Sequence, residues 1–211
     1  MVSPWREIPI GDYEGHMALG SVGQAQMLSR VLRGTLSEYR PGSLAILGAA
    51  GGNGLEGVDP AVVRRMVAVD INPEFLRVCT ERYARRFGRY EAVVHDLRSG
   101  PPPIEPVELV YAGLVLEYLD WRAFVEYLPR LLSPQGVFVV VLQRPSAALP
   151  EVSPSPFVSL QRLEEVFRFV EPAALRAALV GRGFAGCAEK VMCLESGKEF
   201  YQGEFRRGGT E

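Results

Sequence analysis

The sequence is short of several things, and each shortage narrows what the chain can be. Of its 23 basic residues only Lys190 and Lys198 are lysine. The arginines that make up the rest are scattered, which fits codon usage in a GC-rich genome rather than a phosphate-gripping cluster. The formal net charge is -2, with both signs spread along the chain, so no basic arm or face points to nucleic acid or a membrane surface. The longest apolar run, Val137 to Leu142, is far too short to span a bilayer. The opening MVSPWREIPI lacks the basic region and long apolar core of a secretory signal. A cytoplasmic location is therefore expected. The three cysteines, Cys79, Cys187 and Cys193, are odd in number and lack metal-ligand spacing. They are expected to be buried free thiols in a reducing compartment, with no metal site.

What is present is a core and a regular alternation. The chain has 211 residues, 47% of them hydrophobic, enough for one domain spanning 1–211. Residues up to Leu19 read as irregular, because Pro4, Pro9, Gly11 and Gly15 interrupt them. Met27, Leu28, Val31, Leu32 and Leu36 recur at helical spacing within 21–39. Strands are expected at 43–48, 66–70, 90–95, 107–113 and 137–143. Between them fall a short helix from about Asn53, one from Pro73 to about Phe87, and one over 121–132. Residues 144–157 carry four prolines and read as a substrate-side loop, long enough for a lid. Helices are expected over 158–169 and from Pro172 to about Val180, then strands at 184–194 and 199–205 as an antiparallel hairpin. Alternation of this kind predicts an α/β fold: a Rossmann-like, doubly wound, mostly parallel seven-stranded sheet with helices on both faces.

The most informative stretch is LAILGAAGGNG, residues 44–54. An apolar strand running into a glycine loop is a common way to bring a nucleotide-like ligand against the backbone. Gly48, Asp70, Asp96 and Gly113 all fall at or just beyond strand ends, where ligands of open parallel sheets bind. Asp70 has two readings, a carboxylate for both ribose hydroxyls or the N-cap of the next helix. Asp96 likewise reads as an adenine contact or a solvated loop acid. Counting G-x-G-x-x-G from Gly48 puts Ala50 and Asn53 where glycines belong, which disfavours a pyrophosphate cradle.

LAILGAAGGNG, then VAVDINPEF, VVHDL, VELVYAGLVLEYL and LPRLLSPQGVFVVV, resemble the successive motifs of class I S-adenosylmethionine-dependent methyltransferases. The resemblance covers roughly residues 40–143, and the terminal hairpin, 184–206, also suits that fold. It implies S-adenosylmethionine as cofactor and a small-molecule methyl acceptor as partner. It also implies roles. Gly48, Ala49, Ala50 and Gly52 form the loop at the cofactor, with Gly48, Ala50 and Gly52 along its methionine part. Asp70 binds the ribose hydroxyls, with Ile71 beside the adenine. Asp96 and Leu97 hold the adenine edge. Tyr111, Ala112 and Gly113 approach the amino group and the sulfonium. Two positions depart from the pattern: Ile46 stands where an acid is common, and Ala50 where the middle glycine falls. A group from the N-terminal segment is the natural replacement for the lost contacts.

Methyl transfer from a sulfonium has no universal catalytic residue, because holding the reactants in line is the main task. Tyr13 and His16 stand out in DYEGHM as lid or substrate contacts, with simple packing as the alternative. Glu117, Tyr118 and Trp121 border the same end of the sheet. Two other readings remain at this level: a non-catalytic S-adenosylmethionine-binding module, and an NAD(P)-dependent oxidoreductase. The second requires a phosphate-binding glycine pattern and a Tyr-x-x-x-Lys pair, which the sequence lacks.

Overall fold

A computed structural model describes residues 3–208. Its seven strands are β1 (Ser43–Leu47), β2 (Arg65–Asp70), β3 (Arg89–Val94), β4 (Val107–Gly113), β5 (Leu132–Gln143), β6 (Phe184–Cys193) and β7 (Glu199–Arg207). They form one sheet in the order β3-β2-β1-β4-β5-β7-β6. The first five run parallel, and β7 lies antiparallel between β5 and β6. The helices are α1 (Ile10–Ala18), α2 (Gln24–Tyr39), α3 (Pro73–Tyr83), α4 (Trp121–Tyr127) and α5 (Pro172–Val180).

The apolar run of β1 has no polar face because both faces are covered. Leu44 and Ile46 join the core beneath α2 and α3, while Ala45 and Leu47 join the one beneath α4 and α5. Burying each such leucine or isoleucine contributes about 1.5–3 kcal/mol. From β1 the chain winds outward through β2 to β3, then returns to place β4 on the other side of β1. That reversal opens a crevice at the C-terminal ends of β1 and β4.

Several expectations need correction. The N-terminal segment is largely ordered: Pro4–Arg6 form a 3-10 turn and Ile10–Ala18 a helix. Pro9 precedes the first helical turn, where its missing N–H costs nothing. Gly15 is there because the Phe157 ring lies against its Cα, leaving no room for a Cβ. The short helix expected near Asn53 is only a 3-10 turn, Leu55–Gly57, and the one over 158–169 shrinks to Val158–Leu163. The helix over 121–132 ends at Tyr127, followed by a 3-10 turn that contains Pro129. Cys79 is buried, but Cys187 and Cys193 are exposed. They lie on β6, the sheet edge, whose residues are mostly exposed, and Cys187 falls at the register shift between Gly186 and Ala188.

Candidate active site

The glycine loop is pinned to β2 by backbone bonds. Gly48 and Ala49 N–H groups donate to the Val69 carbonyl at 2.9 and 3.1 Å. Gly48 has φ 68°, and a Cβ there would lie 2.5 Å from a Val115 methyl carbon. Ala50 adopts φ 46°, the left-handed conformation a glycine would take at that position, at a cost of about 1–2 kcal/mol. Its N–H donates to Asp70 Oδ2 at 2.9 Å, while Asp70 Oδ1 accepts from the Asn72 N–H at 2.9 Å. Asp70 is only 8% exposed. Burial raises its pKa to about 6, although these backbone donors favour the charged form. The capping reading of Asp70 fails, because the N-cap of α3 is Asn72, whose side chain accepts from Glu74 and Phe75 N–H groups.

Asn72 also ties down the N-terminal segment. Its Nδ2 donates to the Trp5 and Ile8 carbonyls at 2.9 and 3.2 Å. Trp5 then packs edge-on against Tyr13 and Tyr118, with Tyr13 against Phe75 and Tyr118 against Phe167. These five rings bridge the segment, α3, the turn after β4 and the stretch before α5. Asn72→Asp keeps the cap but removes both donors. It is expected to cost about 2 kcal/mol for the carbonyls left unpaired. Limited proteolysis should then cut the first 20 residues faster than in wild type, and an unchanged cleavage rate would contradict this anchoring.

Above the strand ends lies a cavity of about 1120 Å³, a figure that takes in the open space at its mouth. Of the residues singled out from the sequence, Tyr13, His16, Gly48, Ala50, Asp70, Ile71, Asp96, Leu97, Gly113 and Tyr118 line it. Six others do not, Glu117 and Trp121 among them. Ala49 and Ala112 are buried in the two cores. Tyr111 is buried with its hydroxyl donating to the Leu28 carbonyl at 3.3 Å. Gly52 borders a separate hollow of about 600 Å³ with Glu14 and Arg82, which form an ion pair across Gly51. Asp96 lines the cavity but caps its own 3-10 turn and pairs with Arg98 at 2.7 Å, which holds its pKa below the usual range.

The cavity's two ends differ. The β2–β3 end carries Asp70, Ile71, Phe75, Asp96 and Leu97. The other end carries His16, Gln24, Gln143 and Ser153, all at least nine-tenths buried. Gln143 Nε2 and Lys198 Nζ both donate to the Glu151 carbonyl, at 2.9 and 2.8 Å, holding the proline-rich loop over this end. Burial lowers the Lys198 pKa to about 8. Burial, then the nearby Lys198 charge, lowers that of His16, so its imidazole is neutral at pH 7. Trp5, Gln24, Gln143 and Lys198 were not singled out for this site from the sequence. Gln143 ends a parallel strand, the position that flagged Gly48 and Asp70. The scarcity of lysine reads as codon usage and did not point to Lys198. Trp5 and Gln24 carried no such signal.

Glu117 lies behind this end, 1% exposed. Its Oε1 accepts from the Gln143 N–H at 2.8 Å, while Oε2 has no partner among the described residues. Burial raises its pKa to about 7 from an ordinary 4.5. A raised folded-state pKa gives stability that is present below pH 4.5 and lost as pH rises through 7. Glu117→Gln keeps an acceptor and removes the titration. Relative to this variant, wild type is expected to lose up to about 3 kcal/mol between pH 5 and 8. Urea unfolding at both pH values checks this, and a pH-independent difference would contradict it.

Residues 46–140 match the family model described as a methyltransferase domain. The fold is shared with an N-methyltransferase, NodS, from Bradyrhizobium japonicum WM9, solved with S-adenosyl-L-homocysteine. That match has TM-score 0.63 and 17% identity and covers 86% of each chain. Magnesium protoporphyrin IX methyltransferase from Synechocystis PCC 6803, solved with the same ligand, gives TM-score 0.66 at 14% identity, covering 89% of this chain and 84% of that one. A possible exported protein from Bordetella parapertussis gives TM-score 0.67 at 18% identity, covering 89% and 69%. No curated protein matches the sequence. Over residues 46–140 the chain is similar to a methyltransferase domain, and it shares its fold with these solved structures. No helix among the described residues is long and apolar enough to cross a membrane.

Proposed function

We propose that this protein transfers the methyl group of S-adenosylmethionine to a small-molecule acceptor in the cytoplasm. The observation that carries the reading is the buried Asp70 carboxylate. It lies on the cavity wall at the end of β2, oriented by the Ala50 and Asn72 N–H groups. In this reading Asp70 takes the two ribose hydroxyls. Ile71, Phe75 and Leu97 give the adenine an apolar slot, with Asp96 and its Arg98 partner at the edge. Gly48 and Gly113, both on the cavity wall, present backbone to the methionine part. These residues fit the group.

The bound sulfonium supplies an activated methyl group and a neutral leaving group. The protein's own contribution is orientation and exclusion of water. The rings of Trp5, Tyr13, Tyr118 and Phe167 form the dry wall. Burial raises the pKa values of Tyr13 and Tyr118, which stay neutral phenols and serve as walls or donors rather than bases. His16 and Tyr13 are the substrate-side contacts from the N-terminal segment. The enclosed cavity under the loop held by Lys198 and Gln143 favours a small molecule over a macromolecule.

The test is a screen of small-molecule acceptors with S-adenosylmethionine labelled in its methyl group. Label in at least one low-molecular-weight product, absent with Asp70→Ala, is expected. Labelling of protein or nucleic acid alone would contradict the small-molecule assignment.

A further inference from the structure

Away from the strand ends, the cavity wall is apolar and carries a row of rings. Trp5 from the first turn, Tyr118 from the turn after β4 and Phe167 from the stretch before α5 all line it. They meet edge to face, with centroids 5.1 Å apart for Trp5 and Tyr118 and 5.6 Å for Tyr118 and Phe167. Leu119, Leu160 and Leu163 line the same cavity. None of these six belongs to the donor contacts at Gly48, Asp70, Ile71, Asp96, Leu97 and Gly113. Leu160, Leu163 and Phe167 are buried, but Trp5, Tyr118 and Leu119 stay partly exposed. Apolar surface left open on a cavity wall gains by being covered. Charge on the wall is sparse and already matched. Of aspartate, glutamate, lysine and arginine, it holds Asp70, Asp96, Arg98 and Glu151 alone. Its one cation, Arg98, is paired with Asp96 at 2.7 Å. Asp70 is oriented by the Ala50 and Asn72 N–H groups. Glu151 is an exposed residue whose charge acts on Lys198, which is not on the wall. An acceptor carrying an anion would find no free cation here, and a cation would meet the donor's sulfonium; either would be a costly unpaired charge. Gln143 and Ser153, at 5% and 9% exposure, supply the wall with neutral polar side chains.

We propose that the acceptor is a flat, uncharged aromatic molecule, covered by Trp5, Tyr118 and Phe167, whose one polar group is a neutral hydroxyl or amine. The proposal rests on the reading of the cavity as a methyl-transfer site. The acceptor's oxygen or nitrogen takes the methyl carbon, leaves the C–S electron pair on sulfur and releases its proton to water. A ring against these rings gains more than the area it buries, because each well-placed aromatic pair adds roughly two- to tenfold in affinity. An aliphatic ring of the same size lacks that gain.

Four probes of one skeleton test this by isothermal titration at pH 7.5 into protein loaded with S-adenosylhomocysteine. They are 2-naphthol, naphthalene-2-carboxylate, 2-naphthylmethylammonium and the saturated alcohol 2-decalol. Naphthol is expected to bind at least tenfold tighter than either charged probe and about fivefold tighter than decalol. Tyr118→Leu keeps the wall apolar at a partly exposed position. It is expected to weaken naphthol about fivefold and leave decalol within twofold. Val152→Lys, on the wall and partly exposed in the proline-rich loop, supplies the missing cation and is expected to strengthen the carboxylate probe selectively. A charged probe or decalol binding wild type as tightly as naphthol overturns the proposal. So does an equal loss of naphthol and decalol in Tyr118→Leu, or no binding of naphthol to protein that holds S-adenosylhomocysteine. If S-adenosylhomocysteine itself does not bind wild type, the donor reading fails, and the same ranking on unloaded protein decides whether the ring wall takes a neutral aromatic ligand.

Discussion

Asp70→Ala is expected to weaken S-adenosylhomocysteine binding about a hundredfold or more at pH 7.5. The estimate follows from two hydrogen bonds to a charged acceptor, each contributing about 1.5–3 kcal/mol. Asp70 is buried and already engaged by the Ala50 and Asn72 N–H groups, so its carboxylate is oriented before any ligand arrives. The same burial sets a pH signature. With a pKa raised to about 6, the free protein binds a proton at Asp70 as pH falls through 6, and a protonated acid cannot accept both hydroxyls on equal terms. Wild-type affinity is therefore expected to drop between pH 7.5 and 5, approaching tenfold per unit below 6, and Asp70→Ala is expected to lose that slope. The variant also leaves two backbone donors unpaired, so a melting curve belongs beside the titration. Calorimetry at the two pH values checks both parts, and a variant with wild-type affinity would remove Asp70 from the ribose role.

Gly52→Val is expected to be the most destabilising single change in the loop, costing about 3 kcal/mol or more. Gly52 has φ 91°, and a Cβ there would lie 2.5 Å from the Tyr83 ring and 3.1 Å from Cys79 Sγ. A β-branched residue adds backbone strain to that collision. Gly52 faces the second hollow, not the main cavity. Its variant is thus expected to lose stability in urea while any folded fraction retains S-adenosylhomocysteine affinity. A Gly52→Val protein with wild-type stability would contradict the packing described for this loop.

The sheet was largely legible from residue pattern. β1 and β5 are long runs of apolar residues because helices cover both faces, and such runs have few alternative homes. The strand-end positions Gly48, Asp70, Asp96 and Gly113, all on the cavity wall, were equally readable, since a parallel sheet aligns its C-terminal ends by construction. Three kinds of feature were hidden. Helix α1 was obscured by Gly15, whose reason is the Phe157 ring 142 positions away in the chain. The exposure of Cys187 and Cys193 depends on β6 being the outermost strand, a property of sheet order that its local sequence does not carry. Asp70 reads from the sequence either as a ligand contact or as a helix cap, and only the backbone geometry assigns the cap to Asn72. Gln24 and Trp5 reached the cavity through tertiary packing alone.

S-adenosyl binding in the cavity over Gly48 and Asp70 is open to one simple test. The direct measurement is the melting temperature of the purified protein with S-adenosylmethionine, S-adenosylhomocysteine and NAD, each at the same concentration. A ligand that binds only the native state raises it in proportion to RT ln(1 + [L]/Kd). Upward shifts with both sulfur ligands, none with NAD, and loss of those shifts in Asp70→Ala are the predicted result. A shift with NAD and none with S-adenosylmethionine or S-adenosylhomocysteine would contradict it.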